Sequence, residues 1–211
     1  MNQLFEKGRL EQALSALRAG RPIVICDDED REGEGDLAFA ASAATPALVN
    51  TALSIARGLL CVSLRPTDAE RLGVEALASN RKDRFRTPFG MPLGLADGGS
   101  GISAEARAAT LRRIADPRSH ADDFAYPGHV ATLLARAGGV LERNGHTEAI
   151  LDLLELAGIR GPGALCEILM PDGRIAKRPF LERLCQEREF PLVEIKSVER
   201  VLRIERAEVA S

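Results

Sequence analysis

Residues 27–36 read Asp-Asp-Glu-Asp-Arg-Glu-Gly-Glu-Gly-Asp. Seven of these ten positions are carboxylates, so repulsion between neighbours opposes a helix, and Gly33 and Gly35 favour turns. Acidic runs are ordinarily solvated surface or tail. Placement argues against that here, because the apolar residues Ile23–Cys26 precede the run and the apolar residues 37–40 follow it. Two strand-like segments bracket the loop, so the fold must hold it at the end of a sheet. Oxygen-rich side chains in that position suit Mg²⁺ or Mn²⁺ and general acid–base chemistry.

A chain of 211 residues can bury a sizeable core. Its net charge of −3 offers no basic footprint for nucleic acid, although local arginines can still hold a phosphorylated small molecule. No apolar stretch approaches the roughly 20 residues of a membrane span, and the N-terminus lacks a signal-peptide apolar run. Cys26, Cys61, Cys166 and Cys185 are widely spaced, with no CxxC pair or Cys/His cluster. Buried free thiols in a reducing cytoplasm are therefore expected, rather than disulfides or zinc.

Apolar residues Leu10, Ala13, Leu14 and Leu17 recur at helical spacing, and Gly20 offers a stop, which predicts a helix over 4–19. Strands are predicted at Ile23–Cys26, 37–41, 59–64, 129–135, 164–169 and 191–195, with one or two edge strands around Phe89–Leu95. Thr45-Pro46, Pro66-Thr67 and Ser103 open helices, and Asp116-Pro117 closes the last of these. Further helices follow from Thr147 to Gly158, over 179–187 and over 197–206. The segment 78–99 is polar and then rich in Gly and Pro. Strands alternate with helices without a linker or repeat, which predicts one α/β domain over 1–211.

Three other places put reactive side chains beside regular elements: Tyr126-Pro127-Gly128-His129, Arg143 to Glu148, and Cys166-Glu167. Two of the three histidines, His129 and His146, directly follow a glycine at an element border. Gly145 would let backbone approach a ligand, the first amides of the next helix could hold a phosphate, and Arg143 would add a planar fork of donors. Glu167 sits among apolar neighbours, so it is either partly buried with a raised pKa or points from the open face of a strand. Together these residues suit proton transfer and enolisation on a phosphorylated hydroxy-ketone.

The decapeptide 27–36 resembles the signature loop of the 3,4-dihydroxy-2-butanone 4-phosphate synthases of riboflavin biosynthesis. So do Gly101-Ile102-Ser103-Ala104, Pro127-Gly128-His129-Val130, the run AGGVLERNGHTEA at 137–149 and GALCE at 163–167. Their order and spacing match the family across roughly residues 8–200. The resemblance implies a metal-dependent lyase that converts D-ribulose 5-phosphate to 3,4-dihydroxy-2-butanone 4-phosphate and formate by enolisation, dehydration and skeletal rearrangement. It implies Mg²⁺ or Mn²⁺ on Glu32 and His146, and substrate contacts from Arg31, Glu32, Asp36, Cys61, Arg143, Gly145, His146 and Thr147. It makes His129 and Glu167 the acid–base pair. It also implies an α/β sandwich-like domain without a GTP cyclohydrolase II domain, working in the cytoplasm as a homodimer with active sites at the interface.

The sequence departs from the family pattern at several places. Tyr126 stands where arginine is usual, Ala106 where aspartate is usual, and Gly90 and Ser100 where threonines are usual. Thr132-Leu133-Leu134 replaces a proline-leucine-basic run, and Ile55-Ala56-Arg57 replaces a polar turn. Two alternatives follow: a paralogue with the same chemistry on another sugar phosphate, and a non-catalytic dimeric homologue.

Overall fold

A computed structural model describes residues 2–28, 30–78 and 87–209. Expectations for Glu29 in the acidic loop and for 79–86 lie outside these residues. In chain order the elements are α1 (Asn2–Arg18), β1 (Ile23–Cys26), β2 (Gly35–Ala40), α2 (Pro46–Thr51), β3 (Cys61–Leu64), α3 (Pro66–Arg71), β4 (Phe89–Leu95), α4 (Ala104–Ala115), β5 (Phe124–Leu134), α5 (His146–Leu156), β6 (Gly163–Glu167), α6 (Arg178–Arg188), β7 (Leu192–Glu194) and α7 (Ile195–Val209). The strands form one sheet in the order β4-β5-β3-β6-β2-β1-β7. Pairs β1–β7 and β3–β5 run parallel, and the other four pairs run antiparallel.

Strand periodicity explains the layers. Every residue of β1, β2 and β3 is buried, so these strands are covered on both faces. Val24, Leu37, Phe39 and Val62 face one core with Val49 of α2, Leu111 and Ile114 of α4, and Leu181 of α6. Their alternates Ile23, Ile25, Ala38 and Cys61 face a second core with α1, α5 and α7. The result is an α/β/α sandwich. The apolar stripe of α1 buries Leu10, Ala13, Leu14 and Leu17 as its spacing predicts, and Gly20 takes φ 68° just after the helix ends. Thr45 and Ser103 cap their helices by accepting from Leu48 N and Ala106 N at 3.1 and 3.0 Å.

Two differences from the sequence expectation shape the site. Strand β2 begins at Gly35, so Asp36 lies inside the sheet rather than in the loop. Strand β5 begins at Phe124, well before the expected 129. Its first half looks like loop because it carries a proline and exposed residues, and only β4 pairs with it; β3 joins from Ala131 onward. Adjacent β4 residues Leu93 and Gly94 pair with Val130 and Ala125, so Tyr126, Pro127, Gly128 and His129 form a bulge. Gly128 is needed there, because a Cβ would run into the β4 backbone at Leu93 and Gly94.

All four cysteines are free and buried, as expected. Burial raises each thiol: Cys26, Cys166 and Cys185 are pushed up to about 12, and Cys61 is raised as well. Iodoacetamide at pH 8 is accordingly expected to leave the native protein unlabelled and to modify all four after denaturation, as read by mass spectrometry.

Candidate active site

The acidic loop is shaped by one of its own carboxylates. Asp27, whose side chain is 1% exposed, accepts from Glu34 N through Oδ1 at 2.8 Å and from Glu32 N and Arg31 Nη1 through Oδ2 at 3.2 and 2.8 Å. Gly33 closes the turn at φ 62°, donating its N–H to Asp28 O at 3.1 Å. Arg31 also bridges to the Glu32 carboxylate. From outside, Lys177 Nζ donates to Glu32 O and Gly33 O at 3.3 and 3.1 Å, and Lys196 pairs with Asp28.

That turn delivers Glu32 to His146, the first residue of α5, with Oε2 to Nδ1 at 3.5 Å. Ligand atoms of Asp27, Glu32 and His146 lie within 4.8 Å of one another. His146 is buried, which by itself pushes the imidazole down. The nearby carboxylates of Asp36, Glu32 and Asp27 outweigh that, and the ring is raised to about 9. Burial pushes Glu32 up, and His146 and Arg31 bring it below the usual carboxylate range. Nε2 of His146 and Oδ1 of Asp36 are buried without a hydrogen-bond partner among the described residues. Orphaned polar atoms of this kind, beside an imidazole and carboxylates, fit a bound divalent cation.

Asp36 and Glu167 are direct cross-strand neighbours on β2 and β6. Burial raises Asp36 to about 7; His146 pulls it down, while Glu167, Glu34 and Glu32 push it further up. Glu34 is raised too, by burial and then by Glu32. The end of β6 is held by the turn before β3: Leu59 N donates to Glu167 Oε2 at 2.7 Å. Arg57 at φ 70° and Gly58 make that turn, and a Cβ on Gly58 would strike the backbone and carboxylate of Glu167.

Arg31, Glu32, Glu34, Asp36, Arg143, His146, Thr147 and Glu167 line one cavity of about 150 Å³, closed by Thr87, Phe89, Leu133 and Leu165. Gly145, the N-cap of α5, lies directly beneath the Arg143 guanidinium. Three expected residues are not among the cavity walls: Cys61, His129 and Gly145, the last lying under the wall residue Arg143. Cys61 is buried in β3, paired with Leu165 and Ala131. His129 is exposed on the β5 bulge, its Nδ1 beside Gly101. Asp27, Glu34, Thr87 and the three apolar wall residues were not singled out as site residues. Asp27 was indistinguishable from its acidic neighbours, whereas Leu133 and Leu165 read only as core.

Gly58→Ala is expected to destabilise the protein by about 1–3 kcal/mol, since backbone must shift to admit the methyl. Gly8→Ala meets nothing within 4 Å inside α1 and should stabilise by about 0.5–1 kcal/mol. Urea denaturation of the two variants checks the contrast in sign.

A sequence profile of the 3,4-dihydroxy-2-butanone 4-phosphate synthases matches residues 11–201. The chain is 47% identical over 189 residues to the riboflavin biosynthesis protein RibBA of Salinispora tropica, covering 89% of this chain and 47% of that one. It is 40% identical over 190 residues to the 3,4-dihydroxy-2-butanone 4-phosphate synthase of Sulfurospirillum multivorans, covering 90% and 53%. The chain thus spans about half the length of the curated relatives it matches. Among solved structures it superposes on a 3,4-dihydroxy-2-butanone 4-phosphate synthase in complex with two magnesium ions, with TM-score 0.85, 28% identity and coverage of 94% and 97%. The Candida albicans enzyme gives TM-score 0.84 at 32% identity, with coverage of 92% and 96%. The profile match over most of the chain and the identity to these relatives show that the chain belongs to the 3,4-dihydroxy-2-butanone 4-phosphate synthase family.

Proposed function

We propose that this protein converts D-ribulose 5-phosphate to 3,4-dihydroxy-2-butanone 4-phosphate and formate, with Mg²⁺ or Mn²⁺, for riboflavin biosynthesis. The observation that carries this is one cavity joining the Asp27–Glu32–His146 cluster, the Asp36–Glu167 carboxylate pair and the arginines Arg31 and Arg143. Family membership and the magnesium-bound relative add support. Glu32 and His146 would hold the metal, with Asp27 beside them. Bound there, the metal would supply positive charge to polarise the substrate's oxygens.

The remaining roles fall to the chain's own side chains. Arg143, just before α5, and Thr147, in its first turn, bind the phosphate, helped by the positive end of that helix. Arg31 and Asp36 orient the sugar hydroxyls. Asp36 titrates close to neutrality, so it can accept or return a proton without a large cost. Glu167, fixed by Leu59 N–H, removes the carbon-bound proton. Phe89, Leu133 and Leu165 keep the reacting carbons away from bulk water.

His129 completes the acid–base pair from a second subunit in this reading. It is exposed on the bulge of β5, outside the walls of its own cavity, next to the edge strand β4. That edge carries exposed Phe89 and Met91, and Tyr126 and Ile102 nearby are more than half exposed. Exposed apolar side chains at a sheet edge are normally covered, and a homodimer with active sites at the interface would cover these. No helix of the described residues is long and apolar enough to cross a membrane.

Purified protein with ribulose 5-phosphate and Mg²⁺ is expected to release formate, with activity lost on adding EDTA. Glu167→Gln should lower the rate by at least about 10²-fold. A folded dimer that releases no formate would sink the proposal. Equal mixing and reassociation of the inactive variants His129→Ala and Glu167→Gln should restore about a quarter of wild-type activity, because half of the dimers then carry one intact composite site. Failure of such mixtures to recover any activity would place His129 in its own subunit's chemistry.

A further inference from the structure

Glu148 takes no part in the chemistry above, yet it is the most thoroughly buried carboxylate facing the site. Its relative exposure is 0%, on the first turn of α5. Both oxygens are occupied. Oε1 accepts from Arg136 N at 3.0 Å, and Oε2 accepts from Arg143 Nη1 at 2.7 Å. The other terminal nitrogen of Arg143, Nη2, donates to Thr87 Oγ1 at 3.1 Å. The guanidinium is therefore held at two corners, by a buried carboxylate on one side and a hydroxyl of the cavity wall on the other.

Gly145 completes the seat. A Cβ there would collide with Arg143 Nη1 and come within 2.9 Å of Glu148 Oε2. The guanidinium thus lies across a bare helix N-cap, where any larger residue would push it out. Buried ion pairs are poor stabilisers, and well-packed apolar residues often serve a fold as well or better. A carboxylate kept in this position is accounted for by what it does to the arginine. An unrestrained arginine loses much rotamer freedom when it binds an anion, and a pre-seated one loses less.

We propose that Glu148 is a positioning residue, which seats Arg143 over Gly145 so that the guanidinium is held where the substrate's phosphate binds. The proposal rests on the reading of Arg143 as the phosphate-binding arginine. Glu148 acts on affinity through Arg143 and does not touch the reacting carbons.

The test is a double-mutant cycle on Glu148→Gln and Arg143→Gln, read by steady-state formate release and by calorimetric titration with inorganic phosphate. Alone, Glu148→Gln should raise KM for ribulose 5-phosphate about tenfold, with kcat changed much less. It should weaken phosphate binding to a similar degree and leave Mn²⁺ affinity, read by electron paramagnetic resonance, as it was. In the Arg143→Gln background the same change should cost less than about twofold more. Equal losses in both backgrounds would show a merely structural role and overturn the proposal, as would an unchanged KM. If Glu148→Gln does not fold, Glu148→Asp keeps the charge while shortening the reach, and the same KM criterion applies to it. A wild-type protein that binds phosphate but releases no formate would fail the proposed reaction and leave the seating of Arg143 to be judged on phosphate binding. One that neither binds phosphate nor releases formate overturns both.

Discussion

A buried imidazole among carboxylates is the interaction on which the site depends. Left alone in an apolar interior, His146 would shed its proton, and Asp36 would refuse to ionise. Placed together they work against those tendencies: the carboxylates raise His146 to about 9, and His146 holds Asp36 lower than burial alone would set it. The acidic loop and the start of α5 are far apart in sequence, and this mutual compensation is what makes their meeting tolerable. It also leaves His146 Nε2 and Asp36 Oδ1 without hydrogen-bond partners among the described residues. Glu32 and His146 would hold a divalent cation only with the imidazole neutral, so metal affinity would fall as that ring is protonated.

The surrounding scaffold reads as a set of supports for that cluster. Asp27 spends its lone pairs on two backbone amides and Arg31, which turns a self-repelling stretch into a defined turn. Lys177 and Lys196 brace the loop from the solvent side; their exposed contacts contribute little stability but limit where the loop can go. Leu59 N–H and the bare Gly58 do the same for Glu167. For Asp27 and Glu167 backbone amides do the orienting, and their demand is local and geometric.

Such supports are what a linear sequence hides. The helical stripe of α1, the caps at Thr45 and Ser103, and the apolar strand Ile23–Cys26 are legible because periodicity and hydrogen-bonding chemistry are local. The site was legible in its outline, since acidic loop, Arg143, His146 and Glu167 carry unusual chemistry in unusual places. Asp36 was not recognisable as a strand residue, because a buried carboxylate inside a sheet is tolerated only through a partner more than a hundred residues away. Strand β5 was truncated for the same kind of reason: its bulge exists only against the β4 backbone, and proline with glycine reads as a loop until that partner is in place. The resemblance puts Cys61 at the pocket; the structure buries it in β3 directly beside the wall residue Leu165, without making it a wall itself.

The departures from the family pattern have a physical arrangement of their own. Gly90 and Thr132, two separate oddities in the sequence, are register partners on β4 and β5. The Thr132 hydroxyl donates to Met91 O and fills the space a side chain at Gly90 would need, so each change makes room for the other. Tyr126 lies exposed on the bulge, and Ala106 lies on α4 away from the cavity walls. These four positions belong to the β4–β5 edge or to the helix beside it, whereas Ile55-Ala56-Arg57 leads into the turn that holds Glu167. Drift at that edge alters this chain's own cavity only through Phe89 and Leu133.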